Sequence, residues 1–140
     1  MRGRKFRIII GFFLIVISGL IVSLFYYNKP HVNVEKSDAI YSLTAQNLIK
    51  EYQENELGTD KKYTEQIIEI EGHIHEISTL KGSSVITLKD PESDSSIICH
   101  MQAKDNKRAL TLKKGQRVTI KGVCTGYLLD VMMVRCILVE

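Results

Sequence analysis

Apolar residues run without a single charge from Ile8 to Tyr27, and beyond that point apolar and polar positions begin to alternate. The first pattern predicts a membrane-crossing helix. Twenty uncharged residues, at ~1.5 Å each, cover a bilayer core of ~30 Å. The run leaves no polar face for solvent. A cleavable signal has a shorter apolar region of ~7–15 residues and then a small-x-small site. Here the run leads into Phe25-Tyr26-Tyr27-Asn28-Lys29-Pro30, with no such site and no following cysteine to carry a lipid. An uncleaved anchor is the expectation.

Residues 28–38 are polar and read as a tether. A helix is expected next. Thr44 can cap it, Leu43 can staple onto Leu48, and Ala45, Leu48, Ile49 and Tyr52 form one apolar stripe. Its end is expected near Glu56, ahead of Gly58. From Tyr63 the period becomes two. Ile68, Ile70, Gly72 and Ile74 alternate with Glu69, Glu71, His73 and His75, which predicts a strand buried on one face. Further strands follow at Ser84–Lys89, Ile97–Met101, Arg117–Thr125 and Val131–Val139, with a connector from Lys104 to Leu112 between the third and fourth.

The first and fourth strands share the form apolar-x-apolar-x-Gly, ending on Gly72 and Gly122. Glycine inside a strand marks a bulge, a barrel bend or a close approach. Five short strands with these two bends and that connector describe an OB-fold barrel, with a small β-sandwich as the rival. The expected class is therefore all-β with an N-terminal helix: a five-stranded OB-fold barrel behind a single transmembrane helix. The divisions are a basic leader 1–7, the spanning helix 8–27, a tether and amphipathic helix 28–62, and the OB domain 63–140.

Charge adds orientation. Arg2, Arg4, Lys5 and Arg7 stand in a leader without acids, and they account for the net basic balance. The rest of the chain carries 15 basic residues against 16 acidic ones. Positive residues stay inside, so residues 28–140 are expected outside the cytoplasm. All four phenylalanines lie within the first 27 residues and tryptophan is absent, so the core must come from Ile, Val, Leu and Met.

Tyr63, Ile70-Glu71-Gly72, Cys99, the run Lys121-Gly122-Val123-Cys124-Thr125-Gly126-Tyr127-Leu128-Leu129-Asp130-Val131, and Cys136 together resemble the tRNA_anti-like family of OB-fold proteins. Tyr26-Tyr27-Asn28-Lys29-Pro30-His31 is similar to the membrane exit of relatives. The resemblance implies an OB fold on small anchored or exported bacterial proteins and carries no agreed activity. The arrangement also resembles the haem chaperone of cytochrome c maturation. That family works through a His and a Tyr after the barrel, which Val139-Glu140 does not supply, so no cofactor is expected.

Candidate chemistry is sparse. Single-stranded nucleic acid needs a basic groove and stacking rings. The tyrosines 41, 52, 63 and 127 avoid the second and third strands, and Lys104, Lys107, Arg108, Lys113, Lys114 and Arg117 read as a solvated helix and turn. His73-x-His75 could begin a metal site with His100 and Glu71 or Glu76, but two exposed histidines on a strand explain it more simply. No nucleophile elbow, phosphate loop or paired-carboxylate motif is present. The expected role is an extracytoplasmic binding module without catalysis or metal. Its partner would be a protein, peptide or envelope glycan, its ligand face would include His73, His75 and Tyr127, and nucleic acid is the alternative. The fifth strand of such a barrel lies between the third and fourth, so Cys136 can face Cys99 or Cys124. A turn centred on Asp130 would oppose Cys124 to Cys136, and one nearer Leu128 would leave Cys136 for Cys99. The family resemblance favours a Cys124–Cys136 disulfide, against three buried free thiols.

Overall fold

The computed structural model describes residues 2–28 and 32–139, and it divides into two compact units at Val32/Asn33. The first is one helix, α1 (Arg2–Tyr27). The most apolar 18 residues within Gly3–Tyr27 have a mean hydropathy of 2.9, and the helix is long and apolar enough to cross a membrane. The basic leader is thus helical itself, from Arg2 on. Lys29, Pro30 and His31, within the expected membrane exit, lie outside the described residues.

The second unit begins with β1 (Tyr41–Thr44), α2 (Ala45–Glu54) and α3 (Glu56–Tyr63). Then come β2 (Ile67–Leu80), β3 (Ser83–Lys89), β4 (Ser96–Met101), a 3-10 turn at Ala103–Asp105, α4 (Asn106–Thr111), β5 (Arg117–Tyr127) and β6 (Val131–Val139). The sheet runs β1-β2-β3-β4-β6-β5 and closes through a β2–β5 pairing. Strands β2 to β6 form the five-stranded OB-type barrel. Its antiparallel strands are completed by one parallel pair, β4–β6, while β1 adds a short parallel edge to β2.

Local chemistry explains the elements. Thr44 caps α2 by accepting from the Asn47 amide at 3.2 Å, and the stripe Ala45, Leu48, Ile49 and Tyr52 is buried. The helix stops at Glu54 rather than near Glu56 because Asn55 leaves helical geometry. Its amide donates to the Glu51 carbonyl, and its side chain accepts from the Gly58 amide, starting α3. Inside the barrel Ile68, Ile70, Ile86, Leu88, Ile97, Ile120, Val131 and Met133 make the core with α2 and Tyr63. Burying each large side chain stabilises by about 1.5–3 kcal/mol relative to exposure.

Both strand glycines are places of close approach. A Cβ on Gly72 would stand 3.0 Å from the Ala45 Cβ, where α2 meets the barrel, and one on Gly122 would stand 2.6 Å from the Cys136 sulfur. Register shifts also occur near them, between Ile74 and Glu76 and between Lys121 and Val123.

The described part of the tether is not a free linker. Val34 is fully buried, and with Ala39 it packs on Ile67, Val123 and Ile137 outside the barrel. Ile40 donates its amide to the Ile67 carbonyl, and the Lys121 ammonium donates to the Ser37 carbonyl. Residues 33–40 therefore belong to the domain.

Candidate binding face of the barrel

Strand register sets the outer face. Alternation turns Ile86, Cys99 and Met133 inward together and leaves Thr87, Ile98 and Met132 outward in one row. Glu76 extends that row on β2, and Ser78, Val85 and His100 form the next. The result is a half-apolar strip without Phe, Tyr or Trp, and its one ring is the His100 imidazole. The β5–β6 turn at one end carries Leu128 and Leu129, 87% and 81% exposed, and the β2–β3 turn at the other begins at Leu80, 54% exposed. The β5–β6 turn is braced. The Asp130 carboxylate accepts from both the amide and the hydroxyl of Ser96, each at 2.7 Å. The two leucines are thus displayed on a fixed support.

The rings are employed elsewhere. Tyr127 stacks on Tyr52 with centroids 5.1 Å apart, and its hydroxyl meets that of Ser95 at 3.1 Å. It fastens α2 to the barrel, whereas the sequence had suggested a ligand contact. Tyr41 and Tyr63 meet edge to face at 5.0 Å beneath the Lys62 ammonium, and the Tyr63 hydroxyl donates to Glu51. The Tyr52 hydroxyl donates to Asp60 and also contacts the Cys124 sulfur. Burial first, then the Cys124 contact and the Asp60 charge, push its pKa well above the usual phenol range.

The histidines separate. His73 is exposed and paired across strands with Arg117, His75 sits exposed at the β2 bulge, and His100 lies on the outer strip. Among the described residues no three His, Cys, Asp or Glu side chains could hold a metal ion. A cavity of about 450 Å³ opens beside α4, lined in part by Arg108, Thr111, Gln116 and Leu138. Glu71 and Arg117 border it and form an ion pair with each other. Within the basic cluster, Lys104 pairs with Glu35 at 2.6 Å and Arg108 with Asp105 at 3.7 Å, so three of its six members have acidic partners. Lys107, Lys113 and Lys114 are exposed.

All three cysteines are buried free thiols, and the bond implied between Cys124 and Cys136 is not formed. The turn centres on Leu129, with Tyr127 opposite Val131, and a second register shift sets Cys124 against Met133. Burial raises both thiols above their usual range. Cys136 is raised further by a hydrogen bond with Cys99.

A closed five-stranded barrel with this strand order, a helix between the third and fourth barrel strands and an open outer strip defines an OB-fold of the kind used as binding modules. The family model for tRNA_anti-like proteins matches residues 1–138, and the chain belongs to that family. No curated protein matches it. Among solved structures, a lipoprotein of Klebsiella pneumoniae, provisionally named nucleic acid-binding, is similar with a TM-score of 0.58 and 16% identity over 70% of this chain and 91% of that one. Looser likenesses include an OBody bound to hen egg-white lysozyme, with a TM-score of 0.45 and 10% identity over 56% and 86% of the two chains. Another is asparaginyl-tRNA synthetase from Pyrococcus horikoshii, with a TM-score of 0.42 and 8% identity over 56% and 20%.

Proposed function

We propose that the chain is a membrane-tethered OB-fold binding module, held outside the cytoplasm and without chemistry of its own. In this reading an extended protein or peptide segment, or an envelope glycan, lies across the strip of Thr87, Ile98, Met132 and His100. The carrying observation is the strip itself. It is half apolar, its one ring is the His100 imidazole, and the turns at its two ends display leucines. Apolar contacts at fixed positions suit side-chain pockets of a peptide better than bases, which need rings to stack on. The basic residues in the first turns of α1 support the orientation.

A second reading is single-stranded nucleic acid. The Klebsiella lipoprotein's provisional name favours it, as do the exposed lysines 107, 113 and 114. The comparisons lean to this reading, the side chains of the strip to the first. One experiment separates them. The full chain in nanodiscs is titrated with labelled oligonucleotides, while a photo-crosslinking residue at position 98 is activated in living cells. Peptide or protein adducts, with only weak oligonucleotide binding that fades with salt, support the module. Submicromolar oligonucleotide binding at physiological salt supports the second reading and sinks the first.

A further inference from the structure

The parallel pair β4–β6 brings two buried thiols together. Met101 pairs with Cys136, and Cys99 pairs with Met133. The regular register between those pairs is broken at Arg135, whose φ is +54°. The extra residue draws Cys136 back toward the Cys99 end of β4, and the bulge is fastened. Gln102 donates its amide to the Cys136 carbonyl at 2.8 Å and its side-chain amide to the Arg135 carbonyl at 3.1 Å. Both sulfurs face the core and are wholly buried. On the other side, Gly122 offers no side chain where a Cβ would lie 2.6 Å from the Cys136 sulfur. The Cys136 sulfur is seated in the space that this missing side chain leaves. Cys124 is differently engaged, with its sulfur in contact with the Tyr52 hydroxyl at 3.4 Å.

We propose that Cys99 and Cys136 form a disulfide when the domain matures in an oxidising compartment, and that Cys124 stays a free thiol. The oxidant is a disulfide-bearing thiol oxidase. One cysteine thiolate attacks the donor's disulfide, forming a mixed disulfide and releasing one donor thiol. The second cysteine thiolate then displaces the other donor sulfur. The two cysteines lose two protons and two electrons, and the donor leaves as a dithiol. Neither sulfur is accessible in the closed barrel, so exchange occurs on the folding chain, before β6 seats between β4 and β5. The bond would then lock the one parallel pair within the barrel, β4–β6.

The test uses the full chain, quenched with acid in intact cells, unfolded in denaturant and alkylated there without reductant, then digested and mapped by mass spectrometry. A crosslinked pair of peptides holding Cys99 and Cys136, with Cys124 alkylated, is the expected result. Three alkylated thiols, or a crosslink that includes Cys124, would overturn the proposal. A second measurement does not depend on variants at the bonded positions. Reductant should lower the melting temperature of wild type and of Cys124→Ala alike, by at least about 5 °C. If reductant leaves wild type unmoved, or moves it only when Cys124 is present, the assignment fails.

Discussion

Two outer faces of one barrel are treated in opposite ways. Over β2, β5 and β6, the apolar positions Ile67, Val123 and Ile137 are covered by the chain's own residues Val34 and Ala39. Over β3, β4 and β6, the positions Thr87, Ile98 and Met132 have no such cover and stay half-buried. The covered positions are all aliphatic and the bare ones mix Thr with Ile and Met, and only the first set has the segment at 33–40 laid over it. A face already occupied by its own chain is finished structure. The uncovered one is where a ligand can still gain from apolar contact.

The largest expected effect tests the barrel beneath both faces. Gly122→Ala puts a Cβ against the Cys136 sulfur and 3.1 Å from the Val134 carbonyl oxygen, so it should cost roughly 2–4 kcal/mol in urea unfolding. A cost under about 1 kcal/mol would mean that Cys136 simply rotates away. Next, Val34→Asp places a charge where none can be solvated, so the covering segment should detach. The loss should be about 2 kcal/mol, near the value of burying one valine. Hydrogen exchange should rise across residues 33–40 while the inner strands stay protected; uniform exchange throughout would show that the cover holds the whole barrel together. Ile98→Ala on the bare face should cost only about 0.5–1 kcal/mol, yet weaken ligand capture at least about tenfold, as expected of a central contact. Equal stability losses at Val34 and Ile98 would erase the distinction between the faces.

The smallest effect concerns pH. The Lys104 ammonium, by hydrogen bond first and charge second, holds the Glu35 carboxyl below its usual 4.5. A depressed folded pKa contributes fully above the unfolded value and is lost as pH falls through the folded one. Backbone NMR shifts of residues 33–40 should therefore move slightly as the pH drops below 4.5, and Glu35→Gln should abolish that movement. Identical titration curves in both proteins would remove the ion pair from the docking account.

Much of the barrel was legible in sequence because its causes are local. Thr44 announces its cap, the stripe from Ala45 to Tyr52 announces a buried helix face, and period-two alternation marks the first and fourth barrel strands. The misses have non-local causes. Val34 is one valine in a polar stretch, and nothing periodic reveals that Ile67 and Ile137 await it. β1 has four residues, too few for alternation to register, and α3 buries only Thr59 and Tyr63. Tyr127 looked available because its partner Tyr52 arrives from 75 positions earlier, through helix docking. The β5–β6 register could not be counted from the ends, since two shifts interrupt it. The strand pattern gave the fold and the family resemblance agreed with it, but the candidate strip had no motif to read, because its residues are ordinary ones made distinctive only by what fails to cover them.

The place of β6 also governs how the domain can be made. Although it comes after every other described strand in the chain, it sits between β4 and β5 and completes the sheet. Before it arrives, β4 and β5 each expose an unpaired edge, open to pairing with another chain. Synthesis from the N-terminus delivers the apolar helix α1 long before the barrel can shut. In the tethered arrangement proposed above, the growing domain would for that interval be a half-built sheet at the bilayer, dependent on the folding helpers of the compartment it enters.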